Sequence, residues 1–395
     1  MGRHALCPES RGRSRSRTEG RAQMRKRILV TGGAGFVGSH LVDALLRAGH
    51  SVRVFDNLSP QVHPHGLPSY LATDIEFIQG DMRDLDAVRR SLENIDVIFH
   101  KAAAVGVGQS MYEISHYMSA NTQGTANLLQ AMLDSRRDFE KLVVASSMSI
   151  YGEGKYRCAE HGDIAPEPRP IDQLRKKEWE ALCPVCNAKL APIPTDESKR
   201  LQCTSIYALS KKDQEEMCLL YGRTYGAPVV ALRYFNIYGT RQALSNPYTG
   251  VAAIFASRLL NHRSPMIFED GEQQRDFVSV HDIVQANLLA MDREEANGLA
   301  INIGSGAPIS ISQVADILGA ALGLHVEPEI TGKYRAGDIR HCFADIGLAQ
   351  KVLGYRPKHR FADGIGELVA WLRNQSATDK VSDATQQLTA YGLTA

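Results

Sequence analysis

Short continuous apolar runs alternate with amphipathic stretches along most of the chain. Ile28–Thr31, Val52–Phe55, Val97–His100, Leu142–Ser146 and Val229–Arg233 each read as a buried strand. Helix-period segments separate them, one directly after the first strand, one around Thr122–Leu133 and one around Tyr207–Tyr225. Runs of Val, Ile and Leu that do not alternate with polar residues need cover on both faces, which a parallel sheet flanked by helices provides. The pattern predicts a doubly wound α/β domain over residues 25–235. Beyond Asn236 the elements shorten and Gly, Pro and Asn become frequent, which predicts a smaller domain over 236–373 that crosses back to the first. Residues 374–395 are polar without a period and read as a flexible tail.

Composition narrows the class. The 395 residues are 44% hydrophobic and 23% charged, an ordinary globular balance. With 45 Lys+Arg against 44 Asp+Glu, the chain lacks the basic excess of a nucleic-acid binder. Residues 1–24 hold six Arg against Glu9 and Glu19 and have no apolar period, so they read as a disordered basic tail, with Met24 as an alternative start. No run approaches the roughly 18 apolar residues that span a bilayer, and no apolar signal core follows the basic start. The expectation is a cytoplasmic protein with neither membrane nor nucleic-acid partner, and with its seven cysteines reduced.

The run Ile28-Leu-Val-Thr-Gly-Gly-Ala-Gly-Phe-Val-Gly38 sets Gly33, Gly35 and Gly38 in G-x-G-x-x-G register between a strand and a helix. Glycines there permit a tight turn and let backbone N–H groups approach a pyrophosphate at a positive helix N-terminus. The following helix carries Val37, Leu41, Val42, Leu45 and Leu46 on one face, and the next strand closes at Asp56. An acidic residue at that distance meets the adenosine ribose and repels a 2′-phosphate, so NAD is expected rather than NADP. Asn57 can share the ribose contact. An ordinary glycine turn is the competing reading.

Tyr207-Ala-Leu-Ser-Lys211 places a phenol and an ammonium on one helix face. A cation there favours phenolate and lowers the Tyr pKa, making Tyr207 a usable base. Ser146-Ser147-Met-Ser149 ends a strand, at the edge where open α/β sheets bind ligands, so a hydroxyl can meet a substrate alcohol. A surface Tyr stacked on a Lys stem, and serines capping a turn, are the alternatives for the two motifs taken singly.

Between those motifs the segment 155–204 holds Cys158, Cys183-Pro-Val-Cys186 and Cys203. Thiolates at C-x-x-C spacing with two more cysteines fit a closed structural Zn²⁺ site, with His161 as a substitute fourth ligand. Reduced cysteines without metal remain the other reading.

In company these motifs resemble the extended short-chain dehydrogenase/reductases that act on nucleotide sugars, which have a Rossmann-type sheet. The resemblance runs from Arg25 to about Leu372. It is carried by TGGAGFVGSH (31–40), Asp56-Asn57, Gly80-Asp81-Met82, HKAAA (100–104), Asn121-Thr-Gln-Gly-Thr-Ala-Asn127, SSMSIYG (146–152), YALSK (207–211), RYFNIYG (233–239), QRDFVSVHD (274–282) and RAGDIRH (335–341). The likeness implies Tyr207 as base, Lys211 on the nicotinamide ribose and Ser147 orienting the reacting hydroxyl. It implies Gly32, Gly35, Phe36, Val37, Asp56, Asn57, Asp81, Met82, Ala102, Ala103 and Asn121 along the cofactor. Ser149, Asn236, Arg275, Arg335 and Asp338 would hold the sugar nucleotide, and the planar fork of arginine suits its diphosphate. Cys342 falls where a residue gates sugar size, and a homodimer is implied. Lys101 departs from the pattern, which has an apolar residue there.

Dehydratases of this group carry Thr-Asp-Glu where this chain has Ser147-Met148-Ser149, which disfavours water elimination. What remains is 4-epimerisation through a transient 4-keto sugar, with a single-direction 4-ketoreductase as rival. The stretches 102–114, 143–154, 246–261 and 337–346 look like the dTDP-L-rhamnose 4-epimerase branch, with the UDP-glucose/UDP-galactose branch as the alternative. A regulator that binds NAD without turnover is a more distant reading.

Overall fold

The computed structural model describes residues 25–324, 327–335 and 337–394. The basic tail at 1–24 lies outside them. Among the described residues no helix is long and apolar enough to cross a membrane.

The apolar runs form one sheet of seven parallel strands: β1 (Arg27–Thr31), β2 (Ser51–Asp56), β3 (Glu76–Gln79), β4 (Val97–His100), β5 (Lys141–Ser147), β6 (Val229–Tyr234) and β7 (Ala300–Ile303). Their spatial order is β7-β6-β5-β4-β1-β2-β3. β4, β5 and β6 are buried at every position, as continuous Val/Ile/Leu runs require. The edge strand β3 is only partly buried, and its short Glu-Phe-Ile-Gln run gave no strand signal on its own. Strand order reverses between β1 and β4, so a crevice opens beyond their carboxyl ends.

Chain order and domain order part company after Asn236. β7 returns to the sheet, and Ile283, Ala286, Ile301, Ile303, Ala349 and Leu353 pack in the same core as Val30 and Val54. The remaining C-terminal elements build a separate core, in which the helices Val251–Leu260, Ile311–Leu322 and Phe361–Leu372 contribute Phe255, Leu259, Leu318, Leu368 and Leu372. The short strand Gln274–Ser279 ties this part together. It pairs in parallel with Asn236–Tyr238 and His341–Cys342, and antiparallel with Pro308–Ser310.

The expected flexible tail is instead partly helical. Val381–Ala390 forms a helix with Ala384 and Leu388 buried, because these small and apolar residues recur at helical spacing among polar ones. Leu388 packs on the open side of Gly108.

Candidate active site

One continuous crevice of about 680 Å³ follows the carboxyl ends of the strands. Gly32 lines it beyond β1, Asp56 at the end of β2, Gly80 beyond β3, Ala102 beyond β4, Ser147 at the end of β5 and Tyr234 at the end of β6. Such a volume lies within the roughly 300–1,000 Å³ of small-molecule sites.

The glycine turn is shaped by close approach. Gly32 adopts φ +68°, and a Cβ on it would lie 2.7 Å from the Ala102 nitrogen. A Cβ on Gly38 would lie 2.1 Å from the Gly32 carbonyl oxygen, so the helix Phe36–Arg47 can start against the turn only without side chains there. Its first-turn N–H groups have no intrahelical acceptor, and Phe36 and Val37 line the crevice beside Gly35. Asp56 fixes this loop from the neighbouring strand by accepting from the Ala34 N–H at 3.1 Å and the Leu58 N–H at 2.9 Å. Carboxylate oxygens retain further acceptor capacity for a ribose diol. Asn57 donates to Asp81 at 3.1 Å, and hydrogen bonds from Arg83 hold the Asp81 carboxyl well below the usual carboxylate range despite partial burial. Glycine cradle, ribose carboxylate and the lining residues Met82, Ala102 and Ala103 fit a dinucleotide.

Asn121 does not line the crevice. It is fully buried in a π-helical turn, Met118–Gln123, and its amide is used internally. It accepts from the Ala104 N–H at 2.7 Å and donates to the Ala104 carbonyl at 3.0 Å and the Ser210 hydroxyl at 2.9 Å. It braces the cofactor-facing strand end against the helix Ile206–Tyr225.

That helix starts at the N-cap Ser205 and presents Tyr207 and Lys211 to the crevice. Lys211 Nζ donates to the Ala145 carbonyl at 2.7 Å and to Gln214 Oε1 at 2.9 Å, which leaves one proton free. Ser147 lines the crevice with Tyr207, and its hydroxyl accepts from the Ser149 hydroxyl at 2.9 Å. The expected lowering of the Tyr207 pKa by Lys211 is absent. Burial pushes the phenol up to about 12 and only the Ser147 side chain opposes it, while burial brings Lys211 down to about 8. The Lys211 ammonium is directed instead to the Ala145 carbonyl and Gln214.

At the far end, Arg335 grips Asp338 Oδ2 through Nε at 3.1 Å and Nη2 at 2.8 Å and lies over the Phe268 ring. Arg275 donates to the carbonyls of Gln274, Arg340 and Ile339. Burial works against the Asp338 charge, but Arg335, Arg275 and Arg169 hold its carboxyl below the usual value. Asn236 also lines the crevice, and its buried amide oxygen has no hydrogen-bond partner among the described residues. Cys342 does not line the crevice. It is buried behind it, pairing beside Arg275 in the sheet, so it gates nothing.

Lys101 has an explanation in the packing. Its ammonium lies 5.5 Å from the Phe99 ring and 5.4 Å from the Tyr234 ring, and Nζ donates to the Tyr234 hydroxyl at 3.0 Å, so the charge rests on aromatic faces. Burial and the nearby Lys211 charge push its pKa well below the usual value. The C-terminal helix adds lining residues that the sequence reading missed, among them Val381, Ala384 and Leu388.

The thiol group differs from its expected membership. Cys158, Cys183 and Cys186 converge with His161, while Cys203 stands apart with Sγ 3.8 Å from the Ile150 carbonyl. Ligation is set by which turns face one another, and Cys203 sits in an irregular stretch leading to Ser205 rather than on such a turn.

Comparison with known proteins agrees with this geometry. The sequence pattern of the NAD dependent epimerase/dehydratase family matches residues 28–172 and 186–304. A dTDP-L-rhamnose 4-epimerase of Burkholderia thailandensis is 34% identical over 358 residues, covering 89% of this chain and 96% of that protein. The UDP-glucose 4-epimerase of Thermotoga maritima, solved with UDP-glucose, superposes with a TM-score of 0.72 at 32% identity, covering 88% of this chain and 98% of that one. The Thermus thermophilus UDP-glucose 4-epimerase, solved with NAD, gives 0.69 at 30% identity, with 88% and 99% covered. Cradle, Tyr-Lys-Ser group and relatives agree: this chain is an enzyme of the NAD-dependent epimerase/dehydratase family.

Proposed function

We propose that the protein is an NAD-dependent nucleotide-sugar 4-epimerase that interconverts dTDP-L-rhamnose and dTDP-6-deoxy-L-talose. The observation that carries the epimerase reading is the convergence of Ser147, Tyr207 and Lys211 on one crevice, the last two on the same helix. Bound NAD would supply a hydride acceptor at the sugar carbon and a positive ring charge. Tyr207 removes the proton of the 4-hydroxyl as the carbonyl forms, and returns it when the carbon is reduced from the opposite face. Ser147 hydrogen-bonds the same oxygen throughout, keeping it aligned with the phenol. Lys211, fixed by Ala145 and Gln214, directs its remaining proton toward the ribose, and the positive ring of bound NAD would favour the phenolate.

Water elimination needs an acid or base beside the sugar. The carboxylates lining the crevice are Asp56 and Asp81 at the cofactor end and Asp338, which is bound to Arg335. None belongs to the Ser147-Met148-Ser149 turn, which favours epimerisation. Arg275, Arg335 and Asn236 take the diphosphate in this reading. The 6-deoxy sugar is supported by the Burkholderia relative and by the apolar lining of Val105, Val107, Met111 and Leu388, which suits a C6 methyl better than a hydroxymethyl.

Separate incubations with dTDP-L-rhamnose, UDP-glucose and UDP-galactose, resolved by NMR, test the reading. Inversion at C4 of the dTDP sugar is expected. Conversion of a UDP sugar alone overturns the substrate assignment and leaves the epimerase; consumption of added NADH with a 4-keto sugar would instead mark a ketoreductase.

A further inference from the structure

The segment 155–204 has little apolar surface for its length. Its core is Tyr156, Cys158, Ala181, Cys183 and Leu190, and two of those side chains are thiols. A segment so poor in core needs another tie to stay folded.

Two turns meet at that core. Cys158-Ala-Glu-His161 is the tip of an antiparallel hairpin in which Cys158 pairs with Gly162. Cys183-Pro-Val-Cys186 is a tight knuckle, closed by the Asn187 N–H on the Cys183 carbonyl at 2.9 Å and the Cys183 N–H on the Ala188 carbonyl at 2.8 Å. The four ligand atoms all lie within 4.8 Å of one another, and the cysteines are free thiols. Cys158 Sγ is 3.6 Å from Cys186 Sγ and 3.5 Å from His161 Nδ1, and Cys183 Sγ is 3.6 Å from the same nitrogen. With Zn–S of about 2.3 Å and Zn–N of about 2.0–2.1 Å, a tetrahedron has edges of about 3.5–3.8 Å. The two C-x-x-ligand turns thus present three sulfurs and one nitrogen at zinc spacing. The family pattern passes over residues 173–185, which include Cys183 of the four.

We propose that Cys158, His161, Cys183 and Cys186 bind one structural Zn²⁺, and that this metal holds the insert as a clamp on the segment Asp338–His341. Four protein ligands leave no open position, so the site is structural. Three residues before the knuckle, Glu180 receives Arg340 Nη2 at 2.6 Å and lies 3.0 Å from His341 Nε2. Arg169 bridges the Trp179 carbonyl at 2.9 Å and the Asp338 carbonyl at 3.1 Å. The clamp therefore bears on the stretch whose Asp338 orients Arg335 and whose carbonyls orient Arg275. The zinc assignment is independent of the proposed reaction; the effect on substrate binding rests on it.

Metal analysis of full-length protein purified without added metal tests the site. About one zinc per chain is expected, lost in Cys183→Ser and His161→Ala, kept in His161→Cys and Cys203→Ser. Cobalt replacement should give the visible absorption of a tetrahedral thiolate site. Absence of zinc from folded protein that also takes up no cobalt, or loss of zinc in Cys203→Ser but not in His161→Ala, overturns the proposal. For the clamp, zinc-free His161→Ala should raise the KM for the nucleotide sugar about tenfold, the size of one charge-assisted hydrogen bond, with NAD content and kcat little changed. An unchanged KM with zinc absent refutes the clamp and leaves the metal site standing.

Discussion

The sheet and the insert meet at the substrate end of the crevice and hold together by opposite means. In the sheet, Val30, Val54, Val97, Phe99 and Leu232 are fully buried, and the backbone ladder sets the positions of the glycine turn, Asp56 and Ser147. Around the insert, buried charges do that work: Arg169 meets Glu269 at 2.8 Å, and Arg340 meets Glu180 and Asp270 at 2.6 Å and Glu269 at 3.1 Å. The difference teaches where damage shows. A fault on the sheet side should disturb turnover, because Ser147 hangs from a strand end and Tyr207 from a helix packed on the sheet, whereas a fault on the insert side should disturb binding and stability. Removing one charge from a buried ionic cluster leaves its partners unpaired, a cost that falls on the contact between insert and neighbour.

The largest effect expected is on the sheet side. Tyr207→Phe should lower kcat by about 10²–10⁴-fold, the usual worth of a positioned general base, while retaining NAD and an unchanged melting temperature. Retained turnover would place proton transfer elsewhere.

On the insert side, Arg340→Met should cost about 3 kcal/mol or more in urea unfolding, because Asp270 loses its ion pair and buried Glu269 keeps only Arg169. A neutral result would show that the cluster is not what holds the two parts together.

These contrasts also explain what the sequence revealed. The glycine turn, Tyr207–Lys211 and Ser147 were legible because each depends on neighbours within a few residues and on a strand end that continuous Val and Leu runs announce. The roles of Asn121 and Cys342 were not, since both depend on partners far along the chain: Ala104 and Ser210 for the first, the Gln274–Ser279 strand for the second. Cys203 was chosen by residue type. The better signal was the repeated spacing of Cys158-x-x-His161 and Cys183-x-x-Cys186, which marks two like turns. The strand β7 went unread because it is four residues long and lies in a glycine-rich stretch.

Acid should distinguish the two parts next. Burial opposes the Glu180 charge, but hydrogen bonds from His341 and Arg340 prevail and lower its pKa from 4.5 to about 2. A depressed carboxylate stabilises fully above its unfolded value, and that contribution disappears as pH falls from about 4.5 to about 2. Limited acid proteolysis should therefore cut within 155–204 at a higher pH than within the sheet, and simultaneous cleavage would deny the contrast.

The smallest effect belongs to the C-terminal helix. Gln387 Oε1 accepts from Tyr112 at 3.0 Å and Tyr248 at 2.7 Å. Gln387→Ala should raise the KM about two- to tenfold, the worth of a neutral hydrogen bond, without altering kcat. A change in kcat alone would contradict this placement of the helix at the rim.

In the proposed reaction one hydride leaves C4 and returns to it inside a single crevice, with Tyr207 moving the proton. Turnover of nucleotide sugar deuterated at C4, followed by NMR in ordinary water, tests this directly. Deuterium should remain at C4 of the inverted product. Washout of the label into water would contradict it.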